Sequence, residues 1–132
     1  MKQMAIYGSL LARQSDFTKF VNITEKSFLE NIDTGDILLF RSNDMLAPWL
    51  TRTFTQSNFD HVGLILRFGD TVSDVYILEA VGDSGVRMTS WLSARQFLGG
   101  FFNKIAYRKL QFDITEEKLK ALDKFRRNIT GK

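Results

Sequence analysis

Three apolar runs in the middle of the chain predict β-strands. They cover residues 37–40 (ILLF), 60–68 (DHVGLILRF) and 75–81 (VYILEAV), and turn-forming Asp and Gly residues precede the first run. Because a short connection separates the second and third runs, they predict an antiparallel hairpin. Gly63 interrupts the second run. Glycine is unfavourable inside a strand, so Gly63 predicts the close approach of another side chain or backbone.

Helical spacing of apolar residues predicts a helix after the first strand. Residues 45–56 place Leu46, Trp49, Leu50 and Phe54 on one side, and Pro48 is tolerated only in the first turn. A second helix is predicted to begin at Thr89 or Ser90, to run through Phe97 and to end at the two glycines 99–100. Strands are predicted on either side of this helix, over residues 86–88 and 101–110.

A last helix is predicted after Thr115, which has the residue type of an N-terminal cap. Acidic residues occupy its first turn and basic residues gather toward its end, an order that suits the helix dipole. Gly131 is a candidate stop. We expect its buried side to comprise Leu119, Leu122, Phe125 and Ile129.

Residues 1–30 are the least regular part of the chain and predict a helical arm or extension. Ser15 or Asp16 is its candidate cap, and its apolar face would comprise Phe17, Phe20, Val21 and Phe28. Residues 31–132 then form the domain. The order of elements predicts an α+β fold, with flanking helices on an antiparallel sheet of about four to six strands.

Composition narrows the function classes. The 132 residues suffice for one domain, and 44% hydrophobic content with 12 Phe provides a core. The net charge of +3 is modest, and we interpret the basic residues near the C-terminus as a solvated helix face. We therefore expect no nucleic-acid partner. A protein that binds RNA or a membrane surface through basic residues is only a remote possibility.

The chain contains no Cys and a single His. It therefore forms no disulfide, has no thiolate nucleophile of its own and is a poor candidate for structural zinc. We expect no metal and no cofactor, because nucleotide-binding glycine motifs and acidic metal loops are also missing from the sequence. No stretch approaches the ~20 apolar residues of a membrane span, and no signal peptide is evident, so we expect a cytoplasmic protein.

The lone histidine lies within a familiar arrangement of motifs. Residues 35–42 (GDILLFRS), 59–65 (FDHVGLI) and 76–81 (YILEAV), followed by Gly85 and Val86, resemble the opening of the permuted NlpC/P60 superfamily. The closest likeness is to its YiiX/YaeF-type papain-like cysteine amidases and peptidases, rather than to the lecithin:retinol acyltransferase-like branch. The shared features are a Gly-Asp turn entering a strand, an acidic residue before His-Val-Gly, and a strand ending in Glu-Ala.

The resemblance implies a papain-like domain in which His61 matches the general base and Glu79 matches the residue that orients its imidazole. A cysteine nucleophile needs a neighbouring base, and the base needs a third group to fix its tautomer. His61 and Glu79 lie in the two strands of the predicted hairpin. We therefore predict that their side chains are within hydrogen-bond reach on one face of the sheet.

The nucleophile of this family is missing from the chain, since its cysteine follows the last helix. We expect either a truncated domain of a hydrolase that acts on amide or lipid-like acyl bonds, or a catalytically dead module that keeps the fold for binding or structure. Neither turns over substrate as these 132 residues. Truncation further predicts that apolar surface near His61 stays uncovered and favours self-association.

Each candidate residue also has an ordinary structural interpretation. His61 can be a hydrogen-bonded core histidine, and Glu79 can face solvent on an edge strand. We expect Asp36 to fix its turn rather than to act in catalysis, whereas Arg41 and Ser42 fit a cleft mouth and a solvated strand end equally well. The larger aromatic residues are expected to be core rather than an acyl-chain groove: Trp49, Phe54, Phe59, Trp91 and Phe97.

Overall fold

The fold is α+β, as predicted. A computed structural model describes residues 6–9, 21–43, 58–82 and 84–132. The elements in chain order are β1 (Ile6–Ser9), β2 (Val21–Ile23), α1 (Glu25–Asn31), β3 (Ile37–Ser42), β4 (His61–Arg67), a 3-10 turn (Val72–Asp74), β5 (Val75–Val81), β6 (Gly85–Ser90), α2 (Trp91–Phe101), β7 (Phe102–Arg108) and α3 (Glu116–Ile129).

Across the described residues, seven strands form one sheet in the order β2-β1-β7-β3-β4-β5-β6. Five of them, β7-β3-β4-β5-β6, form a continuous antiparallel block. At one side of this block β1 pairs with β7 in parallel, and β2 then pairs with β1 in antiparallel fashion. The predicted hairpin is confirmed, because β4 and β5 pair directly. The sheet has one strand more than the expected maximum of six, and the two strands that the sequence did not predict are residues 6–9 and 21–23.

The core lies between one face of the sheet and helices α1 and α2. Phe28 from α1 and Trp91 from α2 are both fully buried, and their ring centroids are 4.8 Å apart. Phe28 also meets Tyr107 of β7 edge-on at 5.5 Å. Burying aromatic side chains of this size contributes strongly to the hydrophobic stabilisation of the fold. The prediction that Trp91 belongs to the core is therefore confirmed.

The N-terminal region differs from the expected arm. Val21 lies in β2 and not on a helix, since the β-branched residues Val21 and Ile23 favour a strand before Thr24 caps α1. The Thr24 side chain accepts a hydrogen bond from the Ser27 backbone N–H at 3.1 Å. The expected boundary between residues 30 and 31 falls in the last turn of α1. Other predictions concern residues outside the described ranges: Ser15, Asp16, Phe17, Phe20 and the helix over residues 45–56 with Trp49 and Phe54.

Helix α2 begins as predicted and ends later. Ser90 is its N-cap and accepts from the Ser93 N–H, but the helix continues through both glycines to Phe101. Neither glycine has the positive φ that would terminate a helix, and the Phe102 N–H still bonds the Leu98 carbonyl. The prediction that Phe97 is core is wrong. Phe97 is 60% exposed, because α2 turns Trp91, Ala94 and Leu98 toward the sheet instead.

The predicted N-cap of helix α3 is confirmed, but the prediction that one side of the helix is buried is wrong. Thr115 accepts from the Lys118 N–H, and Gly131 follows the helix with a φ of 82°. None of its residues is buried, and Leu119 and Phe125 are 42% and 56% exposed, because the helix lies off the main core. Its end is nevertheless fixed, since Gly131 N–H donates to the Val86 carbonyl at 2.8 Å. Within the described ranges, no helix is long and apolar enough to cross a bilayer.

Candidate functional site

His61 is the first residue of β4 and lies on the face of the sheet that carries the core. It is directly opposite Phe40 of β3, whose side chain is buried. Gly63 follows two residues later on the same face. A Cβ atom at Gly63 would lie 2.5 Å from Ile77 Cγ2 and 3.3 Å from Phe40 Cε2. The predicted close approach at Gly63 is therefore confirmed, and it allows Phe40 to pack beneath the imidazole.

Glu79 of β5 comes within hydrogen-bond distance of His61. Glu79 is paired with Gly63, so it sits two residues along from the position opposite His61, on the same face of the sheet. His61 Nε2 and Glu79 Oε2 are 2.7 Å apart. The predicted contact is confirmed. The solvent-facing alternative for Glu79 is wrong, because its side chain is only 11% exposed.

The second oxygen of Glu79 is bound as well. Arg87 of β6 lies directly opposite Glu79, and its Nε donates to Glu79 Oε1 at 2.9 Å. The hydrogen bond to His61 and the bond and charge of Arg87 lower the pKa of Glu79 below the ordinary carboxyl value, against the opposing effect of burial. Glu79 is thus ionised at neutral pH and can only accept hydrogen bonds.

The ionised carboxylate determines the tautomer of His61. Because Glu79 has no proton to donate, His61 Nε2 must carry the proton of their shared hydrogen bond. The other ring nitrogen, Nδ1, makes no hydrogen bond to any described residue. With its side chain 23% exposed, His61 is therefore accessible as well as oriented. In this tautomer Nδ1 is the ring nitrogen able to accept a proton.

Two aromatic rings hold the imidazole from the sides. Phe102, at the start of β7, is stacked on His61 with an interplanar angle of 7° and centroids 6.0 Å apart. Phe40 packs at a tilt, with its centroid 5.6 Å from that of His61. These contacts restrict rotation of the ring. Sequence reasoning missed Phe102 and Arg87. The signal for Arg87 was the predicted turn between the runs at residues 75–81 and 86–88, because a hairpin joins these strands and pairs Glu79 with Arg87.

The strand end beside His61 is fixed by Ser42 and Asp60. The Ser42 hydroxyl donates to Asp60 Oδ1 at 2.6 Å, and the Ser42 N–H contacts both carboxylate oxygens at 3.1 Å. These bonds join the end of β3 to the residue that precedes His61. Arg41 alternates with Phe40 along β3, so it lies on the face opposite His61 and does not line this site.

Asp36 lies at the other end of β3 from His61. It is 1% exposed, and its carboxylate accepts from the Asp33 N–H at 2.9 Å and from the Leu110 N–H at 2.8 Å. Asp36 thus joins its turn to the segment after β7, in agreement with the structural role predicted for it. Phe59, one residue before Asp60, is half-buried, and Lys104 lies over its ring.

No other described feature competes for the same chemistry. A groove of about 730 Å³ lies between the end of β4 and helix α3, but neither His61 nor Glu79 lines it. In the described ranges, no three His, Cys, Asp or Glu side chains are grouped as metal ligands. No protein-family model and no curated protein matches the chain. The geometry around His61 is therefore the basis for a functional assignment.

Proposed function

We propose that His61 and Glu79 are the general base and the orienting carboxylate of a thiol hydrolase that acts on amide or acyl bonds. The observation that carries the proposal is the 2.7 Å contact between His61 Nε2 and an ionised Glu79, which leaves Nδ1 available. A thiol hydrolase of the papain type needs a base held in one tautomer by a third group. The pair also agrees with the resemblance to the permuted NlpC/P60 superfamily.

The nucleophile comes from outside the 132 residues in this proposal, because they include no Cys. The thiol would approach Nδ1, the ring nitrogen that faces away from Glu79. Nδ1 accepts the thiol proton while the sulfur bonds to the carbonyl carbon. The imidazolium then returns that proton to the leaving amine or alcohol as its bond to carbon breaks, and water hydrolyses the thioester.

The experiment uses the protein expressed from the whole reading frame that contains these residues. A cysteine in an aromatic-Cys-Ser-Glu-like segment at a helix start is expected, and its alkylation rate by iodoacetamide at neutral pH should depend on His61. The His61→Ala variant should lower that rate by about 10²-fold, the usual scale for losing an acid–base partner. Arg95→Gln changes an exposed ion pair with Glu25 elsewhere and serves as the matched control.

A second candidate function is a non-catalytic binding or structural module that keeps the fold. The observation that favours it is the absence of Cys from these 132 residues. The same experiment separates the two. A reading frame without cysteine, or a cysteine whose alkylation does not respond to His61→Ala, contradicts the hydrolase and leaves the module.

A further inference from the structure

We propose that Arg87 is a positioning residue that fixes the Glu79 carboxylate in the orientation that holds His61. The proposal rests on the proposed function of the His61–Glu79 pair and adds a third member to it. Arg87 does not touch the reacting atoms, so its effect reaches His61 only through Glu79.

The geometry gives each oxygen of Glu79 a separate partner. Arg87 Nε donates to Oε1 at 2.9 Å, while His61 Nε2 is 2.7 Å from Oε2. The terminal torsion of a glutamate side chain is broad, so a single hydrogen bond leaves the carboxylate free to swing. A donor on each oxygen removes that freedom, since rotation of the group would break both bonds. Arg87 thereby holds Oε2 toward the imidazole.

The strand register makes the anchor part of the sheet. Glu79 and Arg87 are directly paired across β5 and β6, so their Cβ atoms are held about 5 Å apart on one face. The Glu79 side chain is 11% exposed, whereas that of Arg87 is 53% exposed. The hydrogen bond from His61 is the largest effect that lowers the pKa of Glu79, and Arg87 adds to it against the tendency of burial to favour the protonated form.

Charge links Arg87 to the tautomer of His61. Arginine remains protonated at any pH at which the protein is folded, so Arg87 favours the ionised carboxylate. The ionised carboxylate in turn requires the proton of the shared bond to lie on His61 Nε2. Without Arg87, rotation of the Glu79 carboxylate would release this constraint, and Nδ1 would no longer be held as the acceptor.

The alternative is that Arg87 and Glu79 form an ordinary surface ion pair. Arg95 and Glu25 provide a matched pair, because they are 3.3 Å apart and their side chains are 45% and 41% exposed. Exposed pairs of this kind contribute little to stability. A positioning role predicts an effect on His61 that Arg87 has and Arg95 lacks, whereas a surface ion pair predicts no such difference.

The test is NMR of the full chain labelled with ¹⁵N and ¹³C at histidine, which gives the signals of one imidazole because the chain has one His. The unmodified protein should show an Nε2–H resonance protected from solvent exchange at neutral pH. Arg87→Gln should make that proton exchange at least roughly fivefold faster, the factor that corresponds to about 1 kcal/mol. Arg87→Lys should restore part of the protection, and Arg95→Gln should leave it unchanged.

The variant Glu79→Leu separates failure of this inference from failure of the proposed function. If Glu79→Leu abolishes the protection and Arg87→Gln does not change it, Arg87 is not a positioning residue and the His61–Glu79 pair stands. If Glu79→Leu leaves the Nε2–H resonance as it is, the pair itself is wrong and the proposed function fails with it. Equal effects of Arg87→Gln and Arg95→Gln would also overturn the inference.

Discussion

The Tyr107 hydroxyl donates a 2.8 Å hydrogen bond to Asp36 Oδ2, and this bond joins the turn before β3 to strand β7. Both residues are about 1% exposed, so neither partner can exchange the bond for one to water. Burial and the charge of Asp36 raise the pKa of Tyr107 far above its ordinary value. The phenol therefore remains a hydrogen-bond donor throughout the pH range in which proteins fold.

The first prediction concerns this bond. Tyr107→Phe removes a donor to a buried carboxylate and should lower the free energy of unfolding by roughly 1.5–3 kcal/mol, the range for hydrogen bonds to charged groups. Urea denaturation monitored by circular dichroism measures the change. Tyr76→Phe is the control, because the Tyr76 hydroxyl bonds no described group. Equal stability losses in both variants would show that the Asp36 bond is not the cause.

The strands and the candidate pair were predictable because their signals are local. The run over residues 75–81 coincides with β5, and its predicted hairpin with the 60–68 run placed His61 and Glu79 on neighbouring strands. The register that puts both side chains on one face came from the structure. Capping residues also predicted where α2 and α3 begin, since Ser90 and Thr115 each accept a backbone hydrogen bond within their own first turn.

Some features of the structure were not predicted because they depend on contacts between residues distant in the sequence. Residues 6–9 pair with β7, about a hundred positions later, and no local pattern predicts such a pairing. Apolar periodicity on α3 gave the right helix but the wrong burial, because periodicity states which side is apolar and not what covers it. Arg87 was missed for a different reason, because Glu79 is only eight positions away: its role follows from the strand register across the hairpin and not from the residue types around it.

The second prediction concerns the packing at Gly63. Gly63→Ala places a methyl group 2.5 Å from Ile77 Cγ2, so Ile77 or the strand must shift, and we expect a loss of about 1–3 kcal/mol in unfolding free energy. Gly82→Ala is the control, because nothing lies within 4 Å of a Cβ at Gly82. The double variant with Ile77→Ala removes the obstructing methyl group.

The double variant distinguishes a steric cause from a general weakening of β4. If the clash with Ile77 is responsible, Gly63→Ala should cost less in the Ile77→Ala background than in the unmodified protein. Simple additivity of the two losses, measured by urea denaturation, would argue against the close approach.

The third prediction is the pH dependence of the His61–Glu79–Arg87 cluster. The pKa of Glu79 is lower in the folded state than the ordinary value of 4.5, so the unfolded chain binds the proton more readily. The stability contributed by Glu79 is then fully present above pH 4.5 and is lost as the pH falls through the lower folded-state pKa. The ionisable groups facing Glu79 are His61 and Arg87.

Comparison with Glu79→Gln isolates this contribution from the other carboxylates with lowered pKa, Asp74 and Asp123, which both proteins share. The unfolding free energy of the unmodified protein should exceed that of the variant at and above pH 4.5. The difference should shrink as the pH falls below 4.5. A difference that stays constant or grows as the pH falls below 4.5 would contradict the ionised pairing of Glu79.

The fourth prediction is self-association through apolar surface close to the site. Phe97 and Phe101 lie one turn apart on α2 and are 60% and 66% exposed, and the next residue, Phe102, is stacked on His61. Exposed aromatic side chains grouped in this way favour protein–protein contact.

Sedimentation velocity should show an average mass that rises with protein concentration. The double variant Phe97→Gln/Phe101→Gln should sediment as a monomer at the same concentrations. Phe68→Gln is the matched control. Phe68 is 57% exposed and directly follows β4, at the end of the strand away from His61, so this variant should leave association unchanged. A monomer at every concentration, or equal suppression by the control, would show that the α2 surface does not mediate association.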